Sequence, residues 1–258
     1  MCPSRAPPAV SDKSCLVKYL SAYMPLSDAD HELLADFERD ERDHAAGTCL
    51  QRRGEVTDEL LVIKGGWLFA AAELDDGRRH IVRTYHAGDI IGLAELAVPS
   101  MSLNLIAASD VRVCPMPKAV LGRVFVEAPK LAALLLAMSA RDQALLVDLL
   151  RATARMSAKD RIVFALLSWL HRLAVTNAGM HDTFTLRLNQ TEIGDMLGLT
   201  NVSVSKALVE LEADGWIVRR RHEVTLVDVP VLCERVEFVD RHSTLDMSWF
   251  HGGTRGET

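Results

Sequence analysis

Between Thr200 and Lys206 the chain places Asn201, Ser203, Ser205 and a single lysine, Lys206, just after Gly198-Leu199. An asparagine amide can make a bidentate contact to adenine, a lysine can donate to guanine, and serine hydroxyls reach phosphates or bases. Further on, Arg219, Arg220, Arg221 and His222 form a basic run suited to a phosphate backbone. The whole chain carries a formal net charge of -6. Positive surface is therefore local, and it gathers beside these polar residues.

The flanking residues say which elements hold that chemistry. Asn189 with Glu192 has the spacing of a capping box and opens a helix from Gln190 to Leu197. Gly198 makes a tight turn, and Thr200 caps a second helix reaching about Ala213. Ile193, Leu197, Leu199, Val204, Leu208 and Leu211 form the apolar face that locks the pair together, which leaves the polar side of the second helix uncovered. Two β-like runs around the arginines, in EADGWIVRRRHEVTLVDV, complete a winged helix-turn-helix whose second helix is shaped for the major groove. The expected DNA-binding set is Gln190, Thr191, Thr200, Asn201, Val202, Ser203, Ser205 and Lys206 from the helices, with Arg219, Arg220 and Arg221 from the hairpin tip.

The 258 residues are 49% hydrophobic and 25% charged, normal for a globular protein of one large or two ordinary domains. Cysteines 2, 15, 49, 114 and 233 are odd in number and contain no CxxC pair, so neither a disulfide framework nor a zinc ribbon is expected. No apolar run approaches the ~20 residues of a membrane span, and MCPSRAPPAVSDK lacks the apolar core of a signal peptide. A cytoplasmic protein is the expectation.

Residues 1–24 read as a mostly disordered tail, and 25–128 as an antiparallel β-roll opened by a helix in SDADHELLADFER. Short β-rich runs there are punctuated by glycines 54, 65, 66, 77, 88 and 92, with Asp76-Gly77 as a hairpin turn. Pro129 starts a helix over 129–155, about 40 Å long at 1.5 Å per residue. Leu131, Leu135, Met138, Leu145 and Leu149 form its expected dimerisation stripe, with Leu134, Leu146 and Leu150 as a second flank. Ser157 and Asp160 open the winged domain, 156–228, and 229–258 is a C-terminal extension. In that extension Val231, Val236, Phe238 and Val239 share one helix face, which packs on the winged domain or serves a partner protein.

A β-roll, a long helix and a C-terminal winged helix in this order resemble the CRP/FNR family of bacterial transcription regulators, an α+β fold. VIKGGWL, HAGDIIG and TEIGDMLGLTNVSVSKALVELEADGWI carry the resemblance, which covers roughly residues 25 to 228. It implies a homodimer on a two-fold-symmetric site of double-stranded DNA and contact with RNA polymerase.

The departures bear on the signal. Cyclic-AMP-binding members carry a Glu and an Arg–Ser/Thr pair after GDIIG; here the effector segment is Gly92, Leu93, Glu95, Met101 and Ser102, with Leu93 and Met101 at the Glu and Arg positions. A cyclic phosphate would lack its guanidinium, so the roll senses another small signal or has lost sensing. Cys2 and Cys15 are too few for the iron–sulfur cluster of the oxygen-sensing branch. No cofactor or metal is expected. The residues that keep haem or redox chemistry open are His31, His44, His80 and His86 for the first, Cys49 or Cys114 for the second. Family readers of the best-known half-sites have Glu and Arg where Val202 and Lys206 stand, so this chain selects another sequence. A cupin-like metal enzyme is the alternative outside this class, but His80 and His86 lie six apart on one strand, too far for a single ion.

Overall fold

The computed structural model describes residues 14–250. Eight strands build the roll: β1 (Arg42–His44), β2 (Cys49–Gln51), β3 (Glu59–Gly65), β4 (Leu68–Glu73), β5 (Arg79–Tyr85), β6 (Ile90–Ile91), β7 (Asn104–Ala107) and β8 (Val111–Pro117). They form two antiparallel sheets, ordered β1-β8-β3-β6 and β2-β7-β4-β5. Asp76 and Gly77 make the turn between β4 and β5, where Gly77 N–H donates to Leu74 O.

The apolar run LLVI of β3 is buried on both faces, and alternation explains why. Leu61 and Ile63 point into the roll with Leu68, Leu105 and Val113. Leu60 and Val62 point outward, beneath α1 (Cys15–Ser21), α2 (Asp28–Ala35) and α4 (Pro129–Arg155). The other sheet is covered in the same way. Trp67, Phe69, Ala71 and Ile81 share one continuous core with the C-terminal domain.

Two sequence expectations need correction here. Residues 1–13 of the tail lie outside the described residues, but 14–24 are not disordered. Ser14 caps α1 through Val17 N at 3.0 Å, and Leu16, Tyr19 and Leu20, at helical spacing, are fully buried against the roll. A second helix, α3 (Ala119–Glu127), was not anticipated and precedes α4 directly.

The C-terminal domain comprises α5 (Ala158–Ala174), β9 (Thr183–Thr185), α6 (Gln190–Leu197), α7 (Asn201–Ala213), β10 (Ile217–Arg220), β11 (Glu223–Leu226) and α8 (Val229–Arg235). Met156 breaks α4 with extended backbone, and Ser157 then caps α5 at Asp160 N. The extension does not offer one helix face, because α8 ends at Arg235: Val236 is buried, Phe238 stacks edge-on against Phe164 at 5.6 Å, and Val231 and Val239 are exposed. The chain then returns over the roll. His242 O accepts from Tyr23 Oη at 2.7 Å, and Leu245 and Met247 join the apolar cluster around α1. Residues 251–258 lie outside the described residues.

Candidate nucleic-acid interface

The geometry of α6 and α7 follows from local sequence. Asn189 Oδ1 accepts from Glu192 N at 3.0 Å, and Glu192 Oε2 accepts from Asn189 N at 2.8 Å. Gly198 caps α6 in the left-handed region at φ 64°, where a glycine carries no steric penalty. Gly194 is required for a different reason: a Cβ there would sit 2.5 Å from Leu199 O, so only glycine lets the turn close onto α6. Thr200 Oγ1 then accepts from Ser203 N at 3.1 Å and starts α7.

Val204, Ala207, Leu208 and Leu211 bury the inner face of α7 against α5 and α6. On the outer face Asn201, Val202 and Lys206 are exposed, Val202 by 78%, while Ser203 and Ser205 are half-buried. Lys206 Nζ has only a loose approach to Glu210, at 3.9 Å. Val209, exposed one turn further along, extends this face and was not in the expected set, because a valine carries no polar signal. Thr191 is exposed and Gln190 half-buried at the start of α6.

The hairpin β10–β11 pairs Ile217 with Leu226 and Arg220 with Glu223. Its tip, Arg221-His222, is exposed, with Arg221 at φ 57°. Arg220 and Arg221 are therefore available as wing cations. Arg219 is not: its Nη2 donates to Glu212 Oε2 of α7 at 2.5 Å, a bond that holds the Glu212 carboxyl below its usual range. Arg219 and Arg220, successive in β10, point to opposite faces, and Arg221 stands in the turn beyond the strand.

Residues 41–127 match the model of the cyclic nucleotide-binding domain, and residues 161–235 match that of the Crp-like helix-turn-helix domain. The nitrogen fixation regulation protein FixK of Bradyrhizobium diazoefficiens is 30% identical over 184 residues, 71% of this chain and 76% of that protein. The transcriptional activatory protein AadR of Rhodopseudomonas palustris is 30% identical over 206 residues, 79% of this chain and 84% of that protein. The chain is a CRP/FNR family regulator. The solved structure of FixK2 from Bradyrhizobium japonicum has the same fold, with a TM-score of 0.67 at 24% identity over 76% of this chain and 96% of that one. The regulator is thus a DNA-binding transcription factor and not an enzyme, which sets the cupin-like alternative aside. No helix among the described residues is long and apolar enough to cross a membrane.

The expected effector segment and dimer stripe are placed differently from the DNA face. Gly92 and Met101 are buried, Leu93 and Glu95 half-buried, and Ser102 exposed. Met101 is tied by its backbone to Glu55 O and Gly54 N, and Leu93 packs on the cluster beneath α1. Leu131, Leu135 and Met138 cannot form a dimer stripe, because the regulator's own roll and α1 bury them. Leu145 and Leu149, half-buried, line a cavity between α4, α5 and β5. The face of α4 left in solvent carries Leu136, Ala140, Gln143, Val147, Leu150 and Ala154, a strict alternation of four and three. Of the second flank, Leu146 and Leu150 stay open, while Leu134 is fully buried in the same cluster as Leu131.

The histidines weighed for haem are scattered over α2 (His31), β1 (His44), β5 (His80) and the turn after β5 (His86). His80 Nδ1 is bonded to Asp195 O at 2.9 Å. Cys49 is half-buried on β2. Burial pushes the Cys114 thiol up to about 11, the reverse of an activated thiol.

Proposed function

We propose that the regulator works as a homodimer, each copy placing α7 in one major groove of a two-fold-symmetric operator. The observation that carries this reading is the outer face of α7, where Asn201, Val202 and Lys206 stand in solvent over a fully packed inner face. Asn201 reads adenine, Lys206 donates to guanine, and Val202 contacts a thymine methyl. Ser203, Ser205, Thr200, Thr191 and Gln190 reach phosphates or neighbouring edges, and Arg220 and Arg221 grip the backbone from the wing.

The exposed heptad face of α4 is the dimer seam, because its 3-4 spacing over Leu136 to Ala154 is that of a two-stranded coiled coil. Replacing Leu150 by Asp puts a charge into that seam and is expected to leave the protein monomeric at micromolar concentration in sedimentation, still folded by circular dichroism. The family reading adds contact with RNA polymerase in the cytoplasm, and AadR, a transcriptional activatory protein, favours activation. Cyclic AMP is not the signal, since Leu93 and Met101 cannot supply the charge-assisted bonds that a buried phosphate requires.

Gel-shift titration on the regulator's own promoter fragment tests the reading. Arg220 and Arg221 from two copies, four phosphate contacts, give a slope of about -3.6 in log affinity against log salt. No retardation at any salt concentration overturns it.

A further inference from the structure

The winged domain meets the roll across a second, partly open site. A cavity of about 80 Å³ lies between β5, α4, α5 and the returning C-terminal segment. None of the residues expected at the effector segment, Gly92 to Ser102, lines it. Its polar wall is charged: Arg83, Arg141 and Arg172 face Asp89 and Asp142. Arg172 Nη2 bonds Asp89 Oδ1 at 2.7 Å, while Asp142 serves both Arg83, at 2.8 Å, and Arg141, at 3.2 Å. Asp148, also in the wall, is neutralised by Arg241. Three guanidinium groups against two carboxylates leave one positive charge uncompensated.

The wall also holds hydrogen-bonding atoms without a partner among the described residues: Arg141 Nε, Arg172 Nη1, His86 Nδ1 and His242 Nδ1. All four residues are more than nine-tenths buried. The two arginine atoms can only donate. His86 Nε2 lies 3.2 Å from Thr84 Oγ1, which also accepts from Trp169 Nε1 at 3.1 Å. In the tautomer that accepts at Nε2, His86 Nδ1 donates into the cavity as well. Burial, reinforced by Arg172, keeps that ring neutral.

Unpartnered buried donors cost free energy unless an acceptor meets them. We propose that this cavity is a binding site for a small monovalent oxyanion, a short carboxylate or a nitrate-type ion. One negative charge balances the wall, and its oxygens accept from Arg141, Arg172 and His86. Size sets the class further. A cavity of ~150 Å³ holds benzene, so the space here fits about three to four heavy atoms. Because Arg83 and His86 belong to the roll, Arg172 to α5 and His242 to the extension, the bound anion fastens the winged domain to the roll. Its regulatory meaning rests on the DNA-binding reading above, but its existence does not.

Thermal unfolding and calorimetry on the full chain, without DNA, test the site. Formate, acetate and nitrate are titrated against chloride and neutral acetamide at matched ionic strength. At a hundredfold excess over Kd, Tm rises by about 5–10 °C for the anion class that fits. The lower Kd tells carboxylate from nitrate. Arg141→Gln weakens binding about tenfold to a hundredfold. Arg141 also bonds the Tyr19 and Tyr23 hydroxyls, so Ser168→Val, which narrows the cavity wall and removes no charge, is the second variant; it too weakens binding. Equal shifts with chloride or acetamide, no saturable shift at all, or a shift that survives both variants overturns the proposal. A protein that binds DNA but no anion refutes this site alone.

Discussion

On one side of the winged domain α7 leaves Asn201, Val202 and Lys206 in solvent; on the other, α5 and α6 press Trp169, Arg172 and Asp195 against the roll. Both sides are rich in polar groups, but the physics differs. Lys206 is 77% exposed and keeps its hydration until a ligand replaces it. Arg172 and Asp89 are 5% and 7% exposed, so each depends on the other for the solvation it has lost. A surface built for an exchangeable partner keeps its charges wet and single. A surface built to hold two domains together buries them in pairs.

The strongest way to break that contrast is to remove one member of a buried pair. Asp89→Asn leaves Arg172 charged and without its counterion, which is expected to cost about 3–5 kcal/mol in urea unfolding. Asp89→Leu combined with Arg172→Met should regain most of that loss, because no uncompensated charge remains. A cost below about 1 kcal/mol for the single change would mean that the seam opens readily to water.

These two sides were unequally legible in the sequence. The capping pair Asn189–Glu192, the turn at Gly198 and the cap at Thr200 act over three or four residues, so spacing alone placed α6 and α7. The start of α4 at Pro129 was readable for the same reason. Arg172 and Asp89 lie 83 positions apart, and Arg141 and Tyr19 lie 122 apart. No periodicity announces such a pair. The dimer stripe was misassigned because α4 is apolar on two flanks, and only the folded roll shows which flank is already covered. Helix α1 was hidden by the proline-rich stretch before it, although Leu16, Tyr19 and Leu20 carry helical spacing.

The same seam gives a pH signature. Burial holds His86 and His242 neutral, with pKa values near about 3 for each, against an ordinary value of 6.5. The unfolded chain therefore takes up protons below 6.5 that the folded chain refuses until about 3. Stability rises with pH through that window, and falls as pH drops from 6.5. Asp89 titrates in the folded state near about 2: burial raises its carboxyl, but Arg172 and His86 outweigh it, so it stays ionised throughout this range. Between pH 7 and 5.5 the two histidines should together remove roughly 2.5 kcal/mol of unfolding free energy. Replacing both by Gln should flatten the profile, and an unchanged slope in that double variant would place the titration elsewhere.

On the wet side the expected losses are in binding and not in stability. Lys206→Ala should leave Tm unchanged and weaken operator binding by about 1–3 kcal/mol, relaxing preference at the one base pair it reads. An equal loss on all sequences would make Lys206 a phosphate contact instead.

The smallest effect sharpens the boundary between the two kinds of surface. Arg219 lies on the DNA-facing hairpin but is held by Glu212, with side chains 27% and 34% exposed. A half-exposed pair of this kind contributes about 0.2–1 kcal/mol, so Glu212→Gln should barely move stability. It frees a third wing cation beside Arg220 and Arg221, and it removes a negative charge from α7. Operator affinity at low salt should rise about two- to fivefold, with a salt slope steeper by about 0.9 for each protomer. A steeper slope with unchanged stability would show that Glu212 restrains the wing's grip on DNA. A lower affinity would show that the pair instead fixes the angle at which the hairpin leaves α7, and that Arg219 belongs with the buried, paired charges of the seam.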